Sequence, residues 1–231
     1  MTGSPPKRRV AVVAAHPDDE LLGCGGTLGR HVAAGDEVWA IILADGVSSR
    51  GAPVEEEAIS EREAAARSAA NILGIQHLSL HRLPDNRLDT MPLLDLVRLI
   101  EERISEIAPD TVYTHHAGDL NIDHRLVHQA VVTACRPQPG FAAARLLFFE
   151  TASSTEWQTP SSAVPFLPNW FVDITDTLDV KLRALRAYER EMVPWPHPRS
   201  YQAVEHLARW RGATIGCAAA EAFILGREIR R

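Results

Sequence analysis

Two short segments hold the side chains most suited to chemistry. His16-Pro17-Asp18-Asp19-Glu20 packs four ionisable groups into five residues, and His115-His116-Ala117-Gly118-Asp119-Leu120-Asn121-Ile122-Asp123-His124 forms a second His/Asp cluster about a hundred positions later. Imidazole nitrogen and carboxylate oxygen, three protein ligands with one open position, are what a catalytic zinc site requires. A His₂Asp set also accepts other divalent ions. The acids have a second reading, since Asp18, Asp19 or Glu20 at a helix start caps the first turn and complements its dipole. Spacing alone leaves both readings open. His128 is expected on a solvated polar edge, and His31, His77, His81 and His206 belong to no constellation.

The elements that must position these residues alternate in type. Arg9–Ala15 and Val38–Ala44 are continuous β-branched runs of the kind buried in a parallel sheet. A weaker strand is expected over His77–Leu83, a fourth over Thr111–Thr114, and further strands over Arg145–Thr151 and Trp170–Ile174. Helices are expected over Glu20–Ala34, Glu55–Leu73, Pro92–Ala108, Ile122–Cys135, Leu178–Glu191 and Tyr201–Arg211. Ser153–Pro168 reads as an ordered loop, Val193–Ser200 as extended because three prolines interrupt it, and Ala220–Ile229 as the closing segment. This alternation implies βαβ units and a mainly parallel, doubly wound α/β sheet. With strands 1 and 4 adjacent, both His/Asp clusters reach one crevice at the carboxyl ends of the strands.

Composition narrows the class. The 231 residues are 45% hydrophobic and 23% charged, with 14 Gly and 15 Pro scattered along the chain, which describes an ordinary globular domain rather than a disordered chain. One domain over 1–231 is expected. A net charge of −6 counts against nucleic acid as a ligand. No apolar run approaches a membrane span, and Met1–Arg9 lacks the apolar stretch of a secretory signal. Cys24, Cys135 and Cys217 are odd in number and widely spaced, which points to a reducing, cytoplasmic compartment.

A rival reading uses Gly23-Cys24-Gly25-Gly26-Thr27-Leu28-Gly29 and Asp45 as a dinucleotide site. The first glycine lies too far from the end of strand 1, and a pyrophosphate there would meet Asp18 and Asp19. Close packing of helix on sheet accounts better for the glycines.

Ala15–Glu20 followed by Gly23-Cys24-Gly25-Gly26-Thr27 resembles the opening motif of the PIG-L/LmbE-like zinc-dependent N-deacetylases. Asn121–His124 resembles that family's second motif, and Leu83-Pro84-Asp85-Asn86-Arg87 and His197-Pro198-Arg199-Ser200 extend the likeness over most of the chain. The resemblance implies a Rossmann-like three-layer α/β/α sandwich with a mainly parallel sheet. It also implies Zn²⁺ held by His16, Asp19 and His124, Asp18 as catalytic base, Asp123 as a supporting acid, and Arg62 near a substrate-binding position. Asn121 departs from the family, in which a histidine often stands three residues before the last zinc ligand. Asparagine donates a hydrogen bond but supplies no proton. Tyr188 likewise stands where some relatives carry histidine.

The expected activity is hydrolysis of the acetamide of a small N-acetylglucosaminyl-type amino sugar by water activated on zinc, with Asp18 as base and the Asn121 amide beside the oxyanion. Arg62, Arg87, His197 and Arg199 are the candidate substrate contacts, and Trp157, Trp170 and Trp195 offer faces for a sugar ring. Two alternatives stand beside it: an amidase for a larger amide or thiol conjugate, and a nucleotide-sugar or dinucleotide-binding module without hydrolysis. Whether the chain forms a homo-oligomer is left open.

Overall fold

The computed structural model describes residues 7–50, 56–138, 143–160 and 162–230. Glu55, Ser161 and the stretch before Lys7, on which some expectations above fall, lie outside the described residues. Seven strands form one sheet in the order β3-β2-β1-β4-β5-β7-β6. The strands are β1 (Arg9–Ala14), β2 (Glu37–Ala44), β3 (His77–Leu83), β4 (Thr111–His115), β5 (Arg145–Phe149), β6 (Trp170–Asp173) and β7 (Ala220–Glu228). β3, β2, β1, β4 and β5 pair in parallel, whereas β7 runs antiparallel between β5 and β6.

β1 shows why its sequence is apolar throughout. Val10 and Val12 join the core on one face of the sheet, while Ala11 and Val13 join the core on the other. A strand covered on both faces has no polar side to display. The first face is covered by α1 (Asp19–Ala33), α2 (Glu56–Leu73), α5 (Leu178–Leu185) and α6 (Tyr201–Ala213). The second is covered by α3 (Leu93–Ile107) and α4 (Ile122–Ala134). In α3, Leu96, Val97, Ile100, Ile104 and Ile107 are the buried positions, so its period-3.6 stripe faces the sheet. The result is the three-layer α/β/α arrangement.

The glycines of α1 serve packing. A Cβ at Gly23 would meet the Phe149 ring at 2.2 Å, and one at Gly26 would meet Ile174 at 2.7 Å. That face is filled by side chains and leaves no room for a pyrophosphate. α1 is also broken: Cys24 has φ −148°, ψ 20°. Just beyond the break, the amides of Gly26 and Thr27 both donate to the Glu221 carboxylate of β7 at 2.9 and 2.7 Å. Glu221 in turn pairs with the buried Lys181 ammonium at 2.6 Å.

Two late segments differ from expectation. Val193–Ser200 is a set of turns rather than an extended stretch, closed by bonds from the Val193 amide to the Arg199 carbonyl and from the Ser200 amide to the His197 carbonyl. Proline bars a helix but suits turns as well as extended chain. The helix expected over Leu178–Glu191 loosens after Leu185 into a 3₁₀ segment, Arg186–Glu191, with Tyr188 outside helical geometry.

Candidate functional site

β1 pairs with β2 on one side and β4 on the other, so connections from β1 and β4 leave the sheet side by side at its switch point. The first carries His16 to Asp19, and the second ends at the start of α4. Between them lies a polar cleft of about 150 Å³ lined by His16, Asp18, Asp19, Asp85, Asn121 and His124, and by Arg50, Arg62, Glu191 and Arg199.

Three donor atoms form a nearly equilateral triangle. His16 Nδ1 lies 3.2 Å from Asp19 Oδ2, His124 Nε2 lies 3.2 Å from the same oxygen, and the two nitrogens are 3.3 Å apart. Ligands about 2.0–2.1 Å from a tetrahedral ion stand about 3.3 Å from one another, so these buried donors fit a small divalent cation. The other His16 nitrogen, Nε2, is hydrogen-bonded to Asp123 Oδ2 at 3.1 Å. Asp123 is fixed by the backbone amides of Asn86 and Leu88. This arrangement keeps the Nε2 proton on the far side and leaves the Nδ1 lone pair for a metal. Asp85 Oδ1 approaches Nε2 equally closely, at 3.1 Å, but as an ion-pair contact.

Charge in this cage is strongly negative. Burial alone would lower the His16 imidazole, but Asp123, Asp19 and Asp85 outweigh it and hold His16 well above its ordinary value. His124 is likewise pushed up to about 9, Asp19 and Asp119 overcoming its burial. His115 behaves in the opposite way. Its ring stacks on His124 at 3.9 Å, burial drives it well below the ordinary value, and its Nε2 accepts the Ala15 amide. That nitrogen is therefore occupied, and His115 buttresses the site rather than joining the triangle.

Asp18 stands at the N-cap position of α1 without capping it. Its backbone is left-handed, φ 107°, and its carboxylate belongs to the cleft. Asp18 Oδ2 accepts from Arg62 Nη2 at 3.1 Å and lies 3.5 Å from Arg199 Nη1. Arg62 also donates to the Pro17 carbonyl and pairs with Glu191 at 2.8 Å. Glu20, the remaining acid of the segment, turns inward: its Oε2 accepts the Asp18 amide and its Oε1 the Tyr188 hydroxyl. Burial pushes the Glu20 carboxyl up to about 8 against the pull of that hydroxyl.

Other expected contacts divide. Asn121 lines the cleft and caps α4, its Oδ1 accepting the Asp123 amide while Nδ2 donates to Asn86 Oδ1. Arg62 and Arg199 reach the cleft, both engaged with carboxylates. Arg87 is exposed and outside the cleft wall, because the left-handed Asn86 turns the backbone amides on either side of Arg87 toward Asp123. His197 is also outside the wall, its Nδ1 accepting the Arg199 amide. Among the described residues lining the cleft there is no tryptophan. Trp157 meets His197, Trp195 meets His206, and Trp170 lies on β6 under Arg145. Among the described residues of Ser153–Pro168 only Ser153 and Ser154 touch the cleft, and later ones line a separate cavity with Glu150 and Arg211. His128 is half-buried and bonded to the His115 carbonyl rather than solvated. Ser49 and Arg50, adjacent between β2 and α2, and Glu191, at the end of the 3₁₀ segment, had no sequence signal.

Comparison with known proteins gives a consistent result. Residues 11–135 match the family described as PIG-L: GlcNAc-PI de-N-acetylase. The chain is 30% identical over 190 residues to the uncharacterized deacetylase YaiS of Escherichia coli K12, covering 79% of this chain and 91% of that protein. It is 28% identical over 201 residues to the diacetylchitobiose deacetylase of Thermococcus kodakarensis, covering 80% and 70%. The crystal structure of the conserved protein TT1542 from Thermus thermophilus superposes with a TM-score of 0.76 at 26% identity, over 97% of both chains.

Proposed function

The chain belongs to the PIG-L family, and from that premise we propose that it is a divalent-metal-dependent hydrolase acting on the N-acetyl group of a small N-acetylglucosaminyl-type amino sugar. Acetate and a free amine are the products. The reading is carried by one observation: the three-donor triangle and the Asp18 carboxylate line the same polar cleft.

His16, Asp19 and His124 are the assigned ligands, and a His₂Asp set with a closed supporting shell suits Zn²⁺. A bound divalent ion supplies Lewis acidity, bringing water toward ionisation near neutral pH and polarising the amide carbonyl. Asp18 takes the proton of the attacking water. Arg62 occupies its Oδ2, so Oδ1 is the oxygen left for that transfer. The same carboxyl then returns the proton to the departing nitrogen, which removes the need for the acid that Asn121 is unable to supply. Asn121 keeps one Nδ2 hydrogen on Asn86 and has a second for the developing oxyanion. Arg199 and Arg50, at the cleft wall, contact the sugar or its substituent.

We place this activity in the cytoplasm, in one domain, with a small molecule rather than nucleic acid as its ligand. No helix among the described residues is long and apolar enough to cross a membrane, and Cys24, Cys135 and Cys217 are free thiols. The test is metal analysis of the purified protein combined with acetate release from a panel of N-acetylated sugars. N-acetyl substrates are expected to react, and N-butyryl analogues to react far more slowly. Faster cleavage of long acyl chains or of a thiol conjugate than of any N-acetyl sugar selects the amidase reading instead.

A further inference from the structure

We propose that Tyr188 is a positioning residue for Asp18: through Glu20 and Arg62 it holds the Asp18 backbone in the left-handed conformation that presents the carboxylate to the cleft. The inference rests on Asp18 being the base of the reaction proposed above.

Asp18 has φ 107°, ψ −27°, a region that side chains other than glycine rarely occupy and that persists only when the surroundings enforce it. Two side chains do so. Glu20 Oε2 accepts the Asp18 amide at 3.0 Å, and Arg62 Nη2 grips both the preceding Pro17 carbonyl and Asp18 Oδ2.

Both holders converge on one residue. The Tyr188 hydroxyl donates to Glu20 Oε1 at 2.8 Å, and the Arg62 guanidinium carbon lies 5.2 Å from the centre of the Tyr188 ring. Tyr188 is 1% exposed, packs in the core beside Leu185 and Ala184, and does not line the cleft, so it does not touch substrate. A phenylalanine would pack against those neighbours equally well. What a phenylalanine lacks is the hydroxyl, whose one hydrogen-bond partner among the described residues is Glu20. Without it the Glu20 carboxyl is no longer tied at one end, and the oxygen that fixes the Asp18 amide swings free. The contact between Tyr188 and Glu20 was not foreseeable from sequence spacing, because the two stand 168 positions apart.

The experiment compares Tyr188→Phe, Glu20→Gln and Glu20→Leu in the metal-loaded protein, with Tyr113→Phe as a control. Tyr188→Phe is expected to keep the metal content and a KM within about twofold while kcat falls about tenfold, the loss of one buried hydrogen bond. Glu20→Gln keeps an oxygen for the Asp18 amide and is expected to retain most of kcat, whereas Glu20→Leu falls at least as far as Tyr188→Phe. Tyr113→Phe removes a buried hydroxyl bonded to His31 and is expected to lower Tm without moving kcat. A crystal structure of Tyr188→Phe is expected to show Asp18 out of the left-handed region or its carboxylate displaced. Unchanged kcat, or an Asp18 that stays in place in that structure, overturns the proposal. A parent protein that releases acetate from no N-acetyl sugar overturns the function proposed above, and the Asp18 geometry of the variant then decides this inference by itself.

Discussion

His16 and Asp123 meet at 3.1 Å through Nε2, and that bond determines which nitrogen of the ring faces the triangle. The acid is itself immobile, since the amides of Asn86 and Leu88 hold it at 2.8 and 3.0 Å. Metal binding should therefore depend on residues of two kinds. His124→Ala and Asp19→Ala are expected to abolish both bound metal and activity. Asp123→Asn is expected to weaken metal affinity by about 10- to 100-fold while leaving a site. Competition with a chelator of known affinity measures both, and a full equivalent of metal on His124→Ala means the ligand set is wrong.

Asp18 should separate chemistry from metal binding. Asp18→Ala is expected to retain metal and to lose about 10²–10⁴ in kcat, the usual weight of a general base. Metal content and single-turnover rates on one preparation check this. A rate within twofold of the parent would make Asp18 a structural acid.

Stability should fall on the acid side through His31, which lies away from the cleft. Its Nδ1 meets Asp36 at 2.7 Å and its Nε2 the Tyr113 hydroxyl at 3.0 Å. Burial lowers its pKa, and the opposing pull of Asp36 does not restore it. A depressed folded-state value means that stability is full above the unfolded value of about 6.5 and declines as pH falls below it. Urea midpoints at pH 7.5 and 5 should differ less in His31→Phe than in the parent. Equal slopes would show that His31 does not carry this dependence.

The Glu221–Lys181 pair should be costly to break. Glu221→Ala strands a buried ammonium and leaves the Gly26 and Thr27 amides without an acceptor, an expected loss of about 3–5 kcal/mol. Lys181→Met in the same background should recover part of it, because the stranded charge is gone. Denaturant unfolding of the single and double variants gives the comparison, and an additive double variant would deny the coupling.

The parts of this molecule written as local pattern were legible in the sequence. β1 is buried on both faces and so reads as an unbroken apolar run, and the strand–helix alternation led to the crevice where His16, Asp19 and His124 meet. What escaped depends on contacts between distant parts of the chain. β7 joins the sheet in a direction that no local signal specifies. Arg87 and Asn86 are adjacent, yet the turn brings Asn86 to the cleft and leaves Arg87 outside. His197 and Arg199 are two residues apart, and only Arg199 reaches in. Glu191 and Tyr188 have no spacing partner at all, and only the fold shows that one pairs with Arg62 and the other binds Glu20.

The clamp from β7 onto α1 also sets an order of events during synthesis. The segment carrying Asp18 and Asp19 leaves a ribosome well ahead of β7, and the Glu221 carboxylate that receives the Gly26 amide lies 195 positions after that glycine. Local helix forms within microseconds, whereas this closure must wait for β7. A nascent chain short of β7 therefore carries both His/Asp clusters while the Gly26 and Thr27 amides still lack the Glu221 carboxylate.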